Sequence, residues 1–227
     1  MRNAPLTGIS SMATRALLAE LTAAYGLPVS IEAVGGVDAA KRVQAGEAFD
    51  VVVLASDAID KLVAAGRVVA GSKVNLVHSG VAVAVPAGAA SPGIGSEDAV
   101  KRAVLAAPTL GYSTGPSGVQ LAKLFERWGI AEQIASRLVQ APPGVPVGAL
   151  VARGEVALGF QQLSELMNVE GIDVIGPLPP AIQITTIFSA GVCAASTQPD
   201  AARALLAYLA SPEVAPIKQR HGMETAA

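Results

Sequence analysis

The chain has 227 residues, 52% of them hydrophobic and only 15% charged, with a formal net charge of −2. That is enough for one large or two modest domains with a buried core, yet no apolar run approaches the roughly 20 residues of a membrane span. Scattered charges and 4% aromatics exclude the basic stripe or stacking platform of a nucleic-acid binder, and a lone cysteine, Cys193, excludes an internal disulfide.

From the N-terminus, Met1 to Ile9 lacks the apolar core of a secretory signal. The chain is therefore expected to be cytoplasmic as it stands, or periplasmic if a signal has been removed. Leu6 to Ile9 reads as a short strand ending at Ser10-Ser11-Met12, after which Leu17, Leu18, Leu21 and Tyr25 recur at helical spacing. Pro28 opens a second strand, Val29 to Val34, which stops at Gly35-Gly36-Val37. Asp38 or a neighbour is expected to cap a helix over Ala39 to Gln44, closed by Gly46. Phe49 to Ala55 is nearly all apolar and β-branched, as in a central parallel strand covered on both faces, and Ser56 leads it into a helix over Asp57 to Ala65.

Beyond Ser72 the rhythm changes. Val74 to Val77 and Val81 to Pro86 read as two strands, Gly88 to Ser96 as a surface loop, and Glu97 to Ala106 as a helix. Then comes Leu110-Gly111-Tyr112-Ser113-Thr114-Gly115-Pro116-Ser117-Gly118, a strand, a turn of small and hydroxylated residues, and a helix from Val119 to Trp128. Gly115 and Gly118 let the backbone turn tightly and keep side chains off it, so the first N–H groups of the helix, unpaired within it, can face an anion at the positive end of the helix dipole. Tyr112, Ser113, Thr114 and Ser117 add hydroxyl donors. An ordinary capped turn, with Ser117 as N-cap, is the plain alternative.

Ile130 to Leu138 is expected to form a helix, followed by the proline-stiffened loop Ala141 to Gly148, which includes Val145 and could position backbone groups. A helix over Ala149 to Arg153 precedes a buried strand, Val156 to Phe160, that finishes at Gln161-Gln162; amides seldom lie in a core unless bonded, which points to a binding role. Val174 to Leu178 and Ile182 to Val192 read as extended, Asp200 to Leu209 as helix, and Ser211-Pro212-Glu213 as the cap of a last helix carrying Lys218, Arg220 and His221. His78 and His221 have no zinc-type spacing, so neither a metal nor a cofactor is expected. Alternation of strands and helices argues for an α/β fold with a parallel sheet, whose ligands sit beyond the carboxyl ends of the strands.

Several of these stretches, in this order, resemble the type II periplasmic solute-binding proteins, and within them the molybdate-binding branch: Ile9 to Met12, Gln44 to Ser56, Val81 to Pro86, Gly115 to Gly118, Ala152 to Gly159, and Leu209 to Glu213 with Gly222. The resemblance implies two α/β lobes joined by two crossover strands, near Ser79 to Val85 and Gln183 to Val192, with lobe 1 made of residues 1–80 plus 191–227 and lobe 2 of 81–190. It implies a ligand in the interlobe cleft, held by Ser10, Ser11, Met12, Gly35, Gly36, Val37 and Ser56 from one lobe. The other lobe would supply Tyr112, Ser113, Thr114, Gly115, Pro116, Ser117, Gly118, Val145, Gln161 and Gln162. Molybdate binders usually have a serine-rich turn where this chain has Gly35-Gly36-Val37, and a tyrosine near Gln161-Gln162. Losing those hydroxyls points to a larger organic anion, a di- or tricarboxylate, with a tetrahedral oxyanion as the other ligand class expected. The partners implied are a small anion and an ABC-type permease. Aconitate isomerase resembles the same branch, so an enzyme moving a proton next to a carboxylate is the alternative, with Asp38, Glu165 and Tyr112 as candidate bases. A cytoplasmic ligand-sensing domain is a third reading.

Overall fold

The computed structural model describes residues 4–226, and the chain forms two compact units, residues 1–79 with 186–227 and residues 80–185. The chain thus passes from one unit to the other twice, once after Ser79 and once after Thr185.

In the first unit, β1 (Leu6–Ser11) lies between β2 (Val29–Val34) and β3 (Val51–Ala55), all parallel, in the order β2-β1-β3. β9 (Thr185–Val192) pairs antiparallel with β3 and is followed in the sheet by β4 (Val74–Pro86). β10 (Met223–Thr225) pairs antiparallel with β4. The sheet is mixed, where a parallel one was expected, because β9, through which the chain returns to this unit, runs against β3.

Both faces are covered, which is why β3 reads as unbroken aliphatic sequence. Val51 and Val53 face α1 (Arg15–Tyr25) and α9 (Pro199–Ala210), through Leu17, Leu21, Leu205 and Leu209. Ile9, Val52 and Leu54 face α2 (Gly36–Gln44) and α3 (Ser56–Ala64), through Ala39, Val43, Ile59 and Leu62.

In the second unit, β5 (Leu110–Tyr112) is parallel to both β6 (Leu138–Gln140) and β7 (Leu158–Gln162), while β4 runs antiparallel to β7 and to β8 (Ile172–Pro177). Val81, Val83, Leu158 and Phe160 pack on α4 (Glu97–Ala106) and α5 (Pro116–Arg127). The other face is closed by α7 (Val147–Ala152) and α8 (Leu163–Leu166), and the short α6 (Ala131–Ile134) packs beside α5.

Several elements differ from expectation, each for a local reason. β4 is a single strand of 13 residues, not two, because Ser79 and Gly80 keep extended backbone while their neighbours find partners on both sides. The helix expected over Ile130 to Leu138 ends at Ile134, continues as a 3-10 turn to Arg137, and gives way to β6. Arg137 spends its Nη1 donor on the carbonyls of Leu105 and Ala107, and Leu138 pairs with Leu110. α2 begins at Gly36 with Gly35 as N-cap, ahead of the expected Asp38 cap, and α5 begins at Pro116, ahead of Val119. Ser211 gives no side-chain cap; a 3-10 turn over Pro212 to Val214 leads into α10 (Ala215–Arg220). No helix among the described residues is long and apolar enough to cross a membrane.

Candidate functional site

Parallel order sets the carboxyl ends of β1, β2 and β3 side by side in the first unit. Ser10 and Ser11 complete β1 instead of forming the turn after it, and Met12 starts a 3-10 turn into α1. Ser11 is level with Val34, the last residue of β2, so the first turn of α2 arrives beside it: a Cβ on Gly36 would lie 3.6 Å from that of Ser11. The first intrahelical bond of α2 runs from Ala39 N–H to Gly35, leaving the N–H groups of Gly36, Val37 and Asp38 without acceptors inside the helix. Neither α2 nor α3, which starts at Ser56, has a side-chain cap, whereas α4 is capped by Ser96 Oγ accepting from Ala99 N–H. Ser10, Ser11, Met12, Gly35, Gly36, Val37 and Ser56 therefore form one group at one end of this sheet.

The hydroxyls there are in an unusual state. Ser10 Oγ and Ser11 Oγ are buried and have no hydrogen-bond partner among the described residues, and the same holds for Ser79 Oγ. Ser211 Oγ, in the turn before α10, is a further case away from these strand ends. A buried hydroxyl without a partner costs about 1–3 kcal/mol. Ser79 was not singled out from the sequence; a Ser-Gly pair breaking an otherwise apolar strand was the signal.

In the second unit, β6, β5 and β7 likewise end side by side. Tyr112 closes β5, its carbonyl accepting from Ala141 N–H at the start of the proline loop. Ser113, Thr114 and Gly115 lead to Pro116 at the head of α5, which lacks a side-chain cap. Ser117 does not cap its helix; its hydroxyl lies 3.4 Å from that of Ser113. Gly118 is a glycine for packing: a Cβ there would overlap the carbonyl oxygen of Ser113 and stand 3.2 Å from the Tyr112 ring. Gly115 has room for a side chain, the nearest atom being 3.7 Å away. Val145 is half-buried against Ala141 and Val147, an apolar packing residue of its loop. Val37 and Val119, each in the first turn of a helix at the strand ends of its unit, are each 52% exposed.

Gln161 and Gln162 complete β7, and both are buried. Gln161 Oε1 accepts from Gly148 N–H at 3.3 Å, and its Nε2 donates to Glu165 Oε1 at 2.8 Å. The Gln161 amide is thus committed inside the unit. Burial pushes the Glu165 carboxyl up to about 7, against the hydrogen bond from Gln161, which lowers it. Asp38 is exposed on the first turn of α2, and Tyr112 packs with the α4–α5 core. Asp50 is committed to the fold, accepting from Thr7 N–H, Thr7 Oγ1 and Ser196 Oγ.

Other hollows lie away from these groups. A groove of about 430 Å³ in the second unit is lined by Lys123, Arg127 and Gln183, and one of about 180 Å³ in the first by Glu47, Arg67 and Cys193. Burial, followed by the Asp50 charge, pushes the Cys193 thiol up to about 12, so it is no nucleophile. Among the described residues no group of three or more His, Cys, Asp or Glu could hold a metal ion.

The sequence model of the bacterial extracellular solute-binding proteins matches residues 7–224. An aconitate isomerase of Pseudomonas sp is 43% identical over 184 residues, which is 81% of this chain and 70% of that protein. The periplasmic molybdate-binding protein of Azotobacter vinelandii superposes with a TM-score of 0.81 over 98% of this chain and 100% of that one, at 17% identity. L-phospholactate-bound PEB3 superposes with a TM-score of 0.75 over 97% and 100% of the two chains, at 14% identity. With its two units, its paired crossings and a match from residue 7 to residue 224, the chain belongs to the bacterial extracellular solute-binding protein family.

Proposed function

We propose that the chain binds a small organic polycarboxylate at its strand-end turns, with Ser10, Ser11, Gly35 to Val37 and Ser56 the candidate contacts of the first unit and Tyr112 to Gly118 those of the second. The observation that carries this reading is the Ser11 hydroxyl, buried without a partner beside the uncapped start of α2. A carboxylate oxygen would give that hydroxyl an acceptor and meet the helix dipole, without any lysine or arginine in the turns. Organic ligands are favoured over tetrahedral oxyanions by the two exposed valines, Val37 and Val119, which offer carbon surface next to the anion-binding amides. As a member of its family the chain would hand such a ligand to an ABC-type permease.

The measurement is a thermal-shift and calorimetric panel of molybdate, tungstate, sulfate, citrate and the aconitate isomers. Ligand at about 100 times its Kd stabilises the folded state by about 2.7 kcal/mol, a rise of several degrees. Citrate or aconitate should give that rise and sulfate should not; a response confined to the inorganic anions sinks the polycarboxylate reading.

A second reading is favoured by the 43% identity with an aconitate isomerase: the bound polycarboxylate is also rearranged, by moving a proton on a carbon next to a carboxylate. Ultraviolet monitoring of cis- and trans-aconitate with the pure protein separates the two, since a binder leaves the spectrum constant.

A further inference from the structure

Glu165 is the third residue of α8, directly after β7, at the strand end the second unit shares with Tyr112 and the Ser113–Ser117 turn. Its carboxyl is held by a neutral group. Oε1 takes the hydrogen bond from Gln161, whose own amide is fixed by Gly148 N–H, and no charged neighbour contributes to its shift. The elements packed on α8 bring no cation: β7 is Leu-Gly-Phe-Gln-Gln, α7 is Val-Gly-Ala-Leu-Val-Ala, β4 meets it through Ala82 and Ala84, and β8 through Ile172 and Val174, with its one charged residue, Asp173, accepting from Gly88 N–H. Elsewhere the carboxylates with resolved shifts, Glu20, Glu32, Glu47 and Glu97, are held low by hydrogen-bonded partners that include an arginine in every case. Glu165 alone among these is raised, to about 7. A structural carboxylate has every reason to find a cation; one held by a neutral amide at a strand end has the build of a proton carrier.

We propose that Glu165 is the acid–base group of this site, taking a proton from a methylene carbon beside one carboxylate of the bound anion and returning it two carbons away. The proposal rests on the isomerase reading above. With aconitate, Glu165 Oε2 removes the methylene proton. The C–H electron pair becomes the new double bond to the central carbon, and the old double-bond pair moves to the far carbon, which takes the proton back from Glu165. One C–H bond breaks and one forms, Glu165 ends ionised as it began, and no redox partner is needed. The negative charge that develops is spread onto the flanking carboxylates, where hydroxyls and helix N–H groups stabilise it. Gln161 is the positioning residue: it holds Oε1 and leaves Oε2 to the substrate.

The test compares wild type, Glu165→Gln and Glu165→Asp in three measurements on cis- and trans-aconitate: calorimetric binding, ultraviolet interconversion, and deuterium uptake from heavy water by NMR. Expected are wild-type interconversion, with kcat/KM rising with pH to a midpoint of about 7, and a Glu165→Gln variant that still binds within about threefold but turns over about 100- to 10,000-fold more slowly. Glu165→Asp, which keeps a shorter carboxyl, should fall between them, and it serves as the test if the Gln variant does not fold. Turnover of Glu165→Gln within tenfold of wild type, or an unchanged rate and pH midpoint in Glu165→Asp, overturns the assignment and leaves the isomerase reading standing. Saturable binding by wild type with neither interconversion nor deuterium uptake overturns both, and leaves a binding protein.

Discussion

In the first unit the hydroxyls of Ser10, Ser11 and Ser79 are buried without partners, whereas in the second Ser113 meets Ser117 and the Gln161 amide is bonded at both ends. Unsatisfied hydroxyls are a standing cost to the free protein, about 1–3 kcal/mol each, which an acceptor on a ligand would remove. Bonded side chains carry no such cost, and their geometry is set before anything binds. On the proposed reading, the first unit would gain stability from a ligand and the second would present fixed groups. The contrast can be broken from either side.

Gly118→Ala should have the largest effect. The added methyl would overlap the Ser113 carbonyl, and neither the helix nor the turn can yield without opening the other, so a loss of about 3 kcal/mol in the second unit is expected. A thermal melt of the variant checks it. A melting temperature within a degree of wild type would mean that the second turn is not rigid, and the contrast between the units would fail.

Glu165→Gln should change stability in a pH-dependent way. The carboxyl is raised from 4.5 to about 7, so below about pH 4 it is neutral in both folded and unfolded chains and costs nothing. As pH rises through 7 the folded state must carry a poorly solvated charge, and stability is lost. The shift corresponds to about 3 kcal/mol, which partial exposure reduces to about 2 kcal/mol. The Gln variant should therefore melt higher than wild type at about pH 8 and alongside it at about pH 4. Equal melting at both pH values would mean that Glu165 is as well solvated as a surface carboxylate.

Ser11→Ala carries the comparison into binding. Since Ser11 Oγ has no partner in the protein, its removal should leave melting unchanged or slightly raised, yet cost a charge-assisted hydrogen bond to the ligand. About 1.5 kcal/mol of affinity, roughly tenfold in Kd, is expected, measured by calorimetry with whichever anion of the panel binds. Ser117→Ala should lose less in affinity if its bond to Ser113 already occupies it. A Ser11 variant that loses stability and keeps affinity would make that serine a structural residue.

How far the sequence reaches is visible in these same residues. The strand-end turns were legible because apolar β-branched runs stop at small polar residues before helical spacing begins, and that rhythm survives in β1, β2, β3, β5 and β7. Their exact register was not: Ser10-Ser11 and Gln161-Gln162 belong to the strands, since backbone pairing with β2 and β4 continues to their last residues. β6 and β10 have 3 residues each and exist only through partners far away in the chain, so no local pattern announces them. Gly118 read as a gap left for a ligand, and the close approach of Ser113 could not be inferred from spacing. Gln161 read as a ligand contact, because the chain alone does not say that Gly148 and Glu165 come to meet it.

The smallest expected effect tests whether burying an ionisable group is by itself a mark of function. Each unit holds a desolvated one: Glu165 in the second, and in the first Lys218, whose side chain is fully buried and whose Nζ donates to Leu76 O at 2.9 Å. Lys218 belongs to α10, whose Ile217 packs against the α1–α9 core, and is not among the strand-end turns. Desolvation lowers its pKa, so the cost of its charge is present at neutral pH and fades as pH rises toward the ordinary lysine value. Lys218→Met keeps the apolar stem, and Leu76 O retains the hydrogen bond from Ala226 N–H at 3.3 Å, so no buried acceptor is stranded. A gain of about 1 kcal/mol is expected at neutral pH, shrinking toward about pH 10, with binding unchanged. Melting curves at the two pH values, with calorimetry beside them, would show a buried charge that the fold tolerates and the ligand ignores; a variant that folds but no longer binds would tie Lys218 to the site and erase the difference between it and Glu165.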